Sequence, residues 1–440
     1  MAKKKDDRWY YTFLPYNVGG GATSPMIPLF VTEGLKGTVA QVGIISAITS
    51  VASVPANIIW GNLSDTTKKR KVFVLIGFLG LAIALALMGL SMDMGTYYFA
   101  NFIQGAIAAA AAPVSTVLIL EIFAKNEWAK RIGDFSKVAG IGWVAGLILG
   151  TVWLSLATGA GSIEIAMRAL FLVSSALCVL SVILAVKWVP EPTKKIDRSE
   201  IVSVTKMPAI SFERGRYAPT RLMHIVRISA KNLSPVNFTR NLKVYYAVVL
   251  LAFTGFLTFY VGFPIFLKQT VGLSVSEVFV VYVASSLVSA FTYSKAGKWT
   301  GTFGGKRMQE LAFAGRILLF PSVFLLTLLN LPHLALLVAL CALHSLIGFC
   351  WANLSVAGNT IVCNLAYCEF RTESLGMYNA IQGIGMIIGS LLGGFVANYY
   401  GYLPTFIIAS VFVGIALVAL IFLDVEKVPC EGEGPKASHV

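Results

Sequence analysis

The sequence predicts an all-α membrane protein made of two pseudo-symmetric bundles of six transmembrane helices. The first observation is composition: hydrophobic residues make up 57% of the 440 residues and charged residues 13%, whereas soluble domains carry about 25% charged residues. The second is a series of apolar segments of about 20 residues, a length that crosses a bilayer as a helix. The third is an internal repeat of the first half in the second.

Two ungapped blocks carry the internal repeat. Residues 27–71 align with residues 263–307, so that Pro28 corresponds to Pro264. In a second block, each of six first-half glycines corresponds to another glycine 243 residues later. The first-half glycines are Gly105, Gly133, Gly140, Gly142, Gly146 and Gly150. Duplicated halves built from apolar helices are typical of secondary transporters, in which the substrate site lies between the halves.

The helices can be placed in order along the chain. Apolar runs predict helices 1 to 12 over residues 10–32, 40–62, 72–91, 96–122, 133–157, 165–188, 244–267, 274–295, 308–329, 334–363, 373–399 and 403–423. A backbone in lipid must satisfy its own hydrogen bonds, so runs this long and apolar are helical. We expect an N-terminal bundle, a basic cytoplasmic linker, a C-terminal bundle and a cytoplasmic tail, over residues 1–188, 189–243, 244–424 and 425–440.

The 189–243 segment is a long hydrophilic stretch with eleven Lys and Arg against four Asp and Glu. Basic residues recur within it at helical spacing, at Arg221, His224, Arg227 and Lys231. This spacing fits an amphipathic helix on an anionic membrane surface. A flexible basic linker fits equally well, and both alternatives stay open.

The distribution of charge predicts the topology. The chain has 35 Lys and Arg and a net charge of +14. With the N-terminus in the cytoplasm, 31 of these residues fall on cytoplasmic segments, three fall outside (Lys36, Arg168 and Lys268), and Arg316 lies within helix 9. This positive-inside pattern predicts a multi-pass plasma-membrane protein with both termini in the cytoplasm. Because the basic residues form no patch on a soluble domain, nucleic acid is not an expected partner.

The sequence lacks motifs for enzymes and cofactors. The six cysteines show no C-x-x-C spacing and are expected to be reduced and structural. The sequence shows no H-E-x-x-H and no Walker loop. We expect a monomeric non-enzyme that uses no cofactor, metal or ATP and whose partners are the lipid bilayer and a small-molecule substrate.

A loop between helices 2 and 3 resembles that of a known family. Gly61-Asn-Leu-Ser-Asp65-Thr-Thr-Lys-Lys69-Arg70-Lys71 is similar to the G-x-L-x-D-x-x-x-[KR]-[KR] loop of the major facilitator superfamily. The resemblance covers nearly the whole chain outside 189–243 and the tails. It implies two six-helix bundles that rock about a central cavity and expose it alternately to the two sides of the membrane.

This loop can latch the two halves together. Gly61 allows helices 2 and 11 to approach, and Asp65 can face the positive N-terminal end of helix 11. Lys69 and Arg70 can pair with acidic residues near the loop between helices 4 and 5, which are Glu121, Glu127 and Asp134. The alternative is that the basic run only sets the topology.

The second copy of the loop departs from the pattern. It retains Gly297, Lys306 and Arg307, but has Gly301 where the first copy has Asp65. We therefore assign the gating motif to both loops and expect a dipole-facing carboxylate in the first alone.

Helix 4 carries a departure that bears on proton coupling. Asn101-Phe-Ile-Gln104-Gly is similar to the family motif R-x-x-Q-G, but Asn101 replaces the arginine. The resemblance implies that this arginine takes part in proton coupling in drug exporters of the family. The counterpart of Asn101 in the repeat is His344, and a free histidine exchanges protons near neutral pH. The candidates for coupling are His344, Glu121 and Asp134. The alternative for His344 is a neutral ring hydrogen-bonded between helices.

Polar residues in the central helices are the substrate-binding candidates. The resemblance implies that helices 1, 4, 7 and 10 line the cavity and that helices 2, 5, 8 and 11 join the bundles. The candidates are Asn17, Asn101, Gln104, Thr254, Thr258, His344, Trp351, Tyr378, Asn379 and Gln382. Each could instead serve interhelical hydrogen bonding. Glycine and proline in helices 1 and 7 predict broken or bendable helices beside the cavity.

The central helices contain no lysine or arginine, which argues against a dianionic substrate. Arg316 is expected at the periphery, with its charge extended to the membrane surface. The export signature of helix 5 is matched only in part, since Leu147 stands in place of its proline. We expect a secondary active transporter of a small organic solute, with export of amphipathic compounds slightly favoured. The alternatives are an uptake permease for a metabolite such as a sugar or organic acid, and an uncoupled facilitator.

Overall fold

The computed structural model describes residues 7–67, 69–123, 127–157, 162–191, 238–367 and 370–425. Two helices of the first half are each in two pieces: α1a (Phe13–Thr23) with α1b (Met26–Glu33), and α4a (Met94–Ile107) with α4b (Ala111–Ile122). The others are α2 (Val39–Thr67), α3 (Arg70–Leu90), α5 (Trp128–Ala157) and α6 (Ile163–Trp188).

The second half has the same number of helices. They are α7 (Arg240–Gln269), α8 (Val275–Phe303), α9 (Gly305–Leu325), α10 (His333–Leu365), α11 (Arg371–Tyr400) and α12 (Tyr402–Ile421). Within the described residues, eleven helices, α4 counted as one, are long and apolar enough to cross a membrane, and α1 falls short because it is broken. The predicted class, an all-α protein of twelve membrane helices, is confirmed.

Proline explains the break in α1. Pro25 has no N–H to continue the hydrogen-bond ladder, and α1a ends just before it. In contrast, α7 continues without interruption past Pro264 to Gln269. Of the predicted broken or bendable helices, α1 is therefore broken and α7 is continuous in this conformation.

The turns that lead into α2 and α8 repeat each other bond by bond. The backbone N–H of Thr38 donates to Gln41 Oε1 at 2.8 Å, and the backbone N–H of Gln41 donates to Thr38 Oγ1 at 3.3 Å. Their counterparts in the repeat, Ser274 and Glu277, form the same capping box at 2.7 and 3.2 Å. The internal repeat thus extends from the sequence to the hydrogen bonds of the helix starts.

Two helix pairs make the main contacts between the halves: α2 packs against α11, and α5 packs against α8, while α7 also contacts α1b and α2. The backbones of α2 and α11 approach most closely near Gly43 and Gly394, where a Cβ atom added to Gly394 would lie 2.7 Å from the Cα of Gly43. At the same end, the ring of Phe279 in α8 fills the space beside Gly150 in α5. Small residues permit such close helix contacts in membranes. The molecule is therefore closed at this end.

The halves separate toward the opposite end, where α1 begins and α12 ends. A Cβ atom added to any of six glycines in the joining helices would meet no atom within 4 Å there; they are Gly61, Gly133, Gly140, Gly297, Gly301 and Gly376. Gly61 does not contact α11 in this conformation, and the expected approach of helices 2 and 11 at Gly61 stays a prediction for the conformation that is closed at this end. The physical reason is that α2 and α11 are in contact nearer their other ends and diverge toward Gly61.

Some expectations fall outside the described residues. They include the amphipathic helix around residues 221–231, most of the linker and the C-terminal tail from residue 426. The side chain of Asp65 also lies outside, although its backbone belongs to α2. The latch expected at Asp65 therefore stays a prediction.

Candidate substrate site in the C-terminal half

A cavity of about 120 Å³ lies between α7, α10 and α11, on the parts of α10 and α11 that lead to the open end. Its wall combines aromatic rings with amide and hydroxyl groups. The lining residues are Phe253, Trp351, Leu354, Ser355, Asn359, Tyr378, Asn379 and Gln382. Such a mixture of apolar faces and a few polar groups is usual in sites for small organic molecules.

Four predicted candidates meet in this cavity: Trp351, Tyr378, Asn379 and Gln382. Sequence reasoning missed the other four lining residues. A signal for two of them was available, since Ser355 and Asn359 follow Trp351 by four and eight residues and therefore share its helix face.

A second tyrosine holds Tyr378 in place. The ring of Tyr378 stacks on that of Tyr245 in α7, with ring centres 6.2 Å apart and planes 11° apart. The hydroxyl of Tyr245 donates to Gln309 Oε1 of α9 at 2.8 Å. Both Tyr245 and Gln309 are buried, so this network makes one wall of the cavity rigid. The amide of Asn379, one residue further along α11, is exposed.

Thr254 and Thr258 do not reach this cavity. Both are buried where α7 packs against α11, and a Cβ atom added to Gly389 of α11 would clash with the backbone of Thr254. The hydroxyl of Thr254 donates to Leu250 O, and the hydroxyl of Thr258 donates to Thr254 O, each at 2.8 Å. Their geometry is that of helix packing.

The candidates of the first half also lie apart from this cavity. Asn101 is buried, and its Nδ2 donates to Tyr97 O at 2.8 Å. Asn17 Nδ2 donates to Phe13 O at 2.7 Å in the same way, one turn back along its own helix. Gln104 is half-buried on α4a. An amide that is bonded to its own helix is less available to a substrate.

Aromatic rings surround His344 on α10. Its ring centre lies 4.5 Å from that of Phe263, with the planes 23° apart, and 5.1 Å from that of Tyr282. Tyr260 lies further off, with ring centres 6.2 Å apart. His344 is buried, and no described residue forms a hydrogen bond with its Nδ1. Ring contacts therefore position His344, and an interhelical hydrogen bond at Nδ1 does not.

Arg316 on α9 is fully buried, with 0% of its surface exposed. The expectation that it lies at the periphery and extends to the membrane surface is wrong. Residues 309, 313, 316 and 320 lie at helical spacing on the buried face of α9, so the helix turns the guanidinium into the C-terminal bundle. The opposite face carries the exposed Leu311 and Leu318. The spacing from Phe313 and Phe320 is the signal that could have shown this orientation.

Four aromatic rings surround the guanidinium. Arg316 Cζ lies 4.0 Å from the ring centre of Phe256, 5.5 Å from that of Trp351, 5.8 Å from that of Phe320 and 5.9 Å from that of Tyr260. In the described part of the chain, no carboxylate pairs with it and no acceptor has standard hydrogen-bond geometry to its Nε, Nη1 or Nη2; the hydroxyl of Tyr260 is a polar group beside it.

These contacts stabilise the charge only in part. Each ring face contributes about 0.5–2 kcal/mol, whereas a buried ion without a counter-charge costs several kcal/mol. Each buried N–H without an acceptor adds about 1–3 kcal/mol to that cost. Arg316 has three buried nitrogens without an acceptor, more than any other described residue. The aromatic rings therefore compensate only part of the free-energy cost of burying this guanidinium.

Arg70 of the first-half loop forms a buried ion pair with Glu121 of α4b. Arg70 Nη2 lies 2.6 Å from Glu121 Oε1, and both side chains are 2% exposed. Arg70 Nη1 also donates to Ser64 Oγ at 2.8 Å. The role of this pair in a latch stays a prediction. Lys69 and Asp134 are exposed.

The second-half loop has a weaker arrangement. Lys306 Nζ donates to Ile421 O at 2.8 Å and lies 3.9 Å from Glu310 Oε1. Arg307 and Gly297 are exposed. The position that corresponds to Glu121 is Asn364, so this half has no carboxylate there to receive the base.

Comparison with known proteins agrees with this geometry. A family profile described as the Major Facilitator Superfamily matches residues 12–367 and 336–438. Multidrug resistance protein 1 of Bacillus subtilis (strain 168) is 23% identical over 409 residues, which cover 91% of this chain and 92% of that protein. Multidrug resistance protein MdtG of Salmonella arizonae (strain ATCC BAA-731 / CDC346-86 / RSK2980) is 22% identical over 395 residues, with 88% and 87% covered.

Solved structures show the same fold. A mutant of the nucleoside transporter NupG superimposes with a TM-score of 0.70 at 14% identity, covering 94% of this chain and 98% of that one. A bacterial homolog of the human lysosomal transporter Spinster, in an inward-facing and unoccupied conformation, gives 0.66 at 14% identity, with 96% and 98% covered. The sequence motif, the paired bundles and the profile match across most of the chain lead to one conclusion: this chain belongs to the Major Facilitator Superfamily.

Proposed function

We propose that this transporter exports small amphipathic organic solutes by alternating access. The observation that carries the proposal is the cavity beside Trp351, in which aromatic faces stand next to amide and hydroxyl groups. Such a wall suits a solute with an apolar body and a few polar groups. The similarity to two proteins named for multidrug resistance supports export over uptake.

The open end is the cytoplasmic end in this proposal. The 31-to-3 distribution of Lys and Arg supports cytoplasmic termini and a cytoplasmic 189–243 linker. The termini of the described chain lie at the end where the halves separate. A solute would therefore enter the cavity from the cytoplasm, and closure of the Asp65 loop against α11 would release it to the outside.

Proton coupling is the second part of the proposal. The candidate groups are His344, Glu121 and Asp134. Glu121 is engaged by Arg70 and Asp134 is exposed, so His344 is the one candidate of the three that is buried without an ion-pair partner among the described residues. The positively charged Arg316 packs against the same Tyr260 ring as His344. Intramembrane ionisable residues are candidates for such relays.

Accumulation of amphipathic dyes in everted vesicles tests export. A panel of neutral, cationic and anionic fluorescent dyes would be offered under an imposed pH gradient, with and without an uncoupler. We expect accumulation of at least one dye, which Trp351→Ala should reduce about threefold to tenfold through loss of one aromatic contact. Tyr399→Ala, which removes a 71% exposed ring from α11, is the matched control and should accumulate dye normally.

Three results would contradict parts of this proposal. Accumulation in right-side-out vesicles alone would show uptake. Equilibration that ignores the gradient and the uncoupler would show a facilitator. Equal losses of dye accumulation in the Trp351 and Tyr399 variants would show that the cavity beside Trp351 is not the dye-binding site.

A further inference from the structure

The buried guanidinium of Arg316 lies directly behind the wall of the substrate cavity. Trp351 belongs to both places: it lines the cavity, and its ring centre is 5.5 Å from Arg316 Cζ. Trp351 is itself half-buried, and its indole ring contacts both the cavity and the guanidinium. Movement of that ring would bring the cavity into contact with a charge that no described residue neutralises.

We infer that Arg316 is an anion-binding subsite that receives a carboxylate or similar oxyanion group of the transported solute. This inference rests on the proposed function and adds the charge of the substrate to it. A guanidinium presents a planar fork of N–H donors that matches a carboxylate in two parallel hydrogen bonds. The surrounding rings of Phe256, Phe320 and Trp351 would contact the apolar body attached to such a group.

The surroundings favour a solute over a lipid headgroup as the source of the anion. Arg316 has no exposed surface and lies on the inner face of α9. The lipid-facing side of α9 carries Leu311 and Leu318, which are 65% and 70% exposed. A phospholipid would have to pass between packed helices to reach the guanidinium. A solute in the cavity is separated from the guanidinium by the ring of Trp351.

The inference also narrows the expected substrate charge. Because the central helices contain no lysine or arginine, the sequence argued against a dianionic solute. With Arg316 buried beside α7 and α10, a monoanionic aromatic solute fits the site, and a cationic solute would face repulsion from the unpaired guanidinium.

Matched pairs of a carboxylate and its amide test the charge preference directly. The probes are 2-naphthoate with 2-naphthamide, and indole-3-acetate with indole-3-acetamide, titrated into the purified full-length protein by calorimetry. A charge-assisted bidentate contact predicts that at least one carboxylate binds about tenfold more tightly than its amide. In Arg316→Gln we expect this preference to fall below about twofold.

Arg240→Gln is the matched control, because Arg240 is an exposed arginine at the start of α7 and should retain the preference. If Arg316→Gln fails to fold, Arg316→Lys keeps the positive charge but lacks the planar fork of donors, and it should retain a reduced preference. An unchanged preference in Arg316→Lys would then contradict the inference. The inference is wrong if neither carboxylate binds at millimolar concentration, if amides bind equally well, or if Arg316→Gln keeps the preference.

Because binding is measured without flux, the two proposals can fail separately. Carboxylate binding that depends on Arg316 without any dye export would overturn the proposed export and leave the subsite intact. Export of neutral dyes without carboxylate preference would overturn the subsite alone. Vesicles of phosphatidylglycerol added to the detergent-solubilised protein should not compete with the carboxylates, and competition would assign the site to lipid.

Discussion

At the scale of single residues, the two halves treat equivalent basic positions differently. Arg70 is buried against Glu121, whereas its counterpart Lys306 reaches a backbone carbonyl near the surface. The reason is the replacement of Glu121 by Asn364 in the second half. A buried ion pair need not stabilise a protein more than a pair of apolar residues in the same place. Removal of one ion is nevertheless strongly destabilising, because the remaining charge then lies in a low-dielectric interior without the partner that balanced it.

We predict that Glu121→Gln destabilises the protein strongly, by about 3–5 kcal/mol, because it removes the carboxylate that pairs with the buried guanidinium of Arg70. The midpoint of thermal unfolding in detergent measures this loss. Replacing both partners by apolar residues, as Arg70→Met with Glu121→Leu, should recover most of the stability. Glu164→Gln is the control, since its pair with Arg168 is partly exposed and such pairs contribute about 0–1 kcal/mol. Similar losses in both single variants would contradict the argument.

We predict that His344→Gln abolishes pH-driven accumulation while downhill exchange of the same solute continues. Glutamine keeps the approximate size and polarity of the side chain but cannot bind and release a proton near neutral pH. Reconstituted vesicles with and without a pH gradient separate the two activities. A variant that accumulates solute like the unmodified protein would identify His344 as a structural residue held by Phe263 and Tyr282.

At the scale of helices, the internal repeat predicts the hydrogen bonds at the helix starts. It does not predict which residues of α2, α5, α8 and α11 are in contact. The turns before α2 and α8 even share a left-handed residue, Lys36 with φ 55° and Gly272 with φ 81°. In contrast, glycines of one helix have different surroundings: Gly394 touches Gly43, and Gly376 meets nothing within 4 Å. Position along the helix, and therefore distance from the closed end, decides which glycines pack.

We predict that Gly394→Ala lowers the thermal unfolding midpoint and slows transport. The added methyl group would lie 2.7 Å from the Cα of Gly43, and overpacking of this kind costs about 1–3 kcal/mol. Gly376→Ala on the same helix is the matched control for stability, because its methyl group enters open space. If the two variants unfolded at the same temperature, the close packing of Gly394 against Gly43 would be contradicted.

At the scale of the whole molecule, the separation of the halves fixes which side can supply solute. The bundles touch through α2 with α11 and α5 with α8 at the closed end. Rocking of one bundle against the other would exchange the open and closed ends, which is how duplicated transporters alternate access. The glycines at the open end are then available for the opposite closure.

We predict that a single cysteine placed in the 189–243 segment of a cysteine-free variant resists an impermeant maleimide on intact cells and reacts after permeabilisation. The basis is the concentration of Lys and Arg on one side. Lys268→Cys, in the last turn of α7, should react on intact cells and serves as the control. Labelling in the reverse pattern would invert the topology and, with it, the proposed direction of entry.

The sequence by itself determined the twelve helices, the internal repeat and the family, because apolar length, glycine spacing and the loop from Gly61 to Lys71 are local properties of the chain. It also placed Trp351, Tyr378, Asn379 and Gln382 among the substrate candidates.

Only the tertiary structure decided which candidates share a cavity, where Arg316 points and which end is open. Thr254 and Thr258 face α11, and Arg316 faces the rings of α7 and α10. The physical reason is that packing against neighbouring helices sets the rotation of each helix about its axis. The angle between the bundles depends in turn on contacts between residues far apart in the chain, such as Gly43 and Gly394.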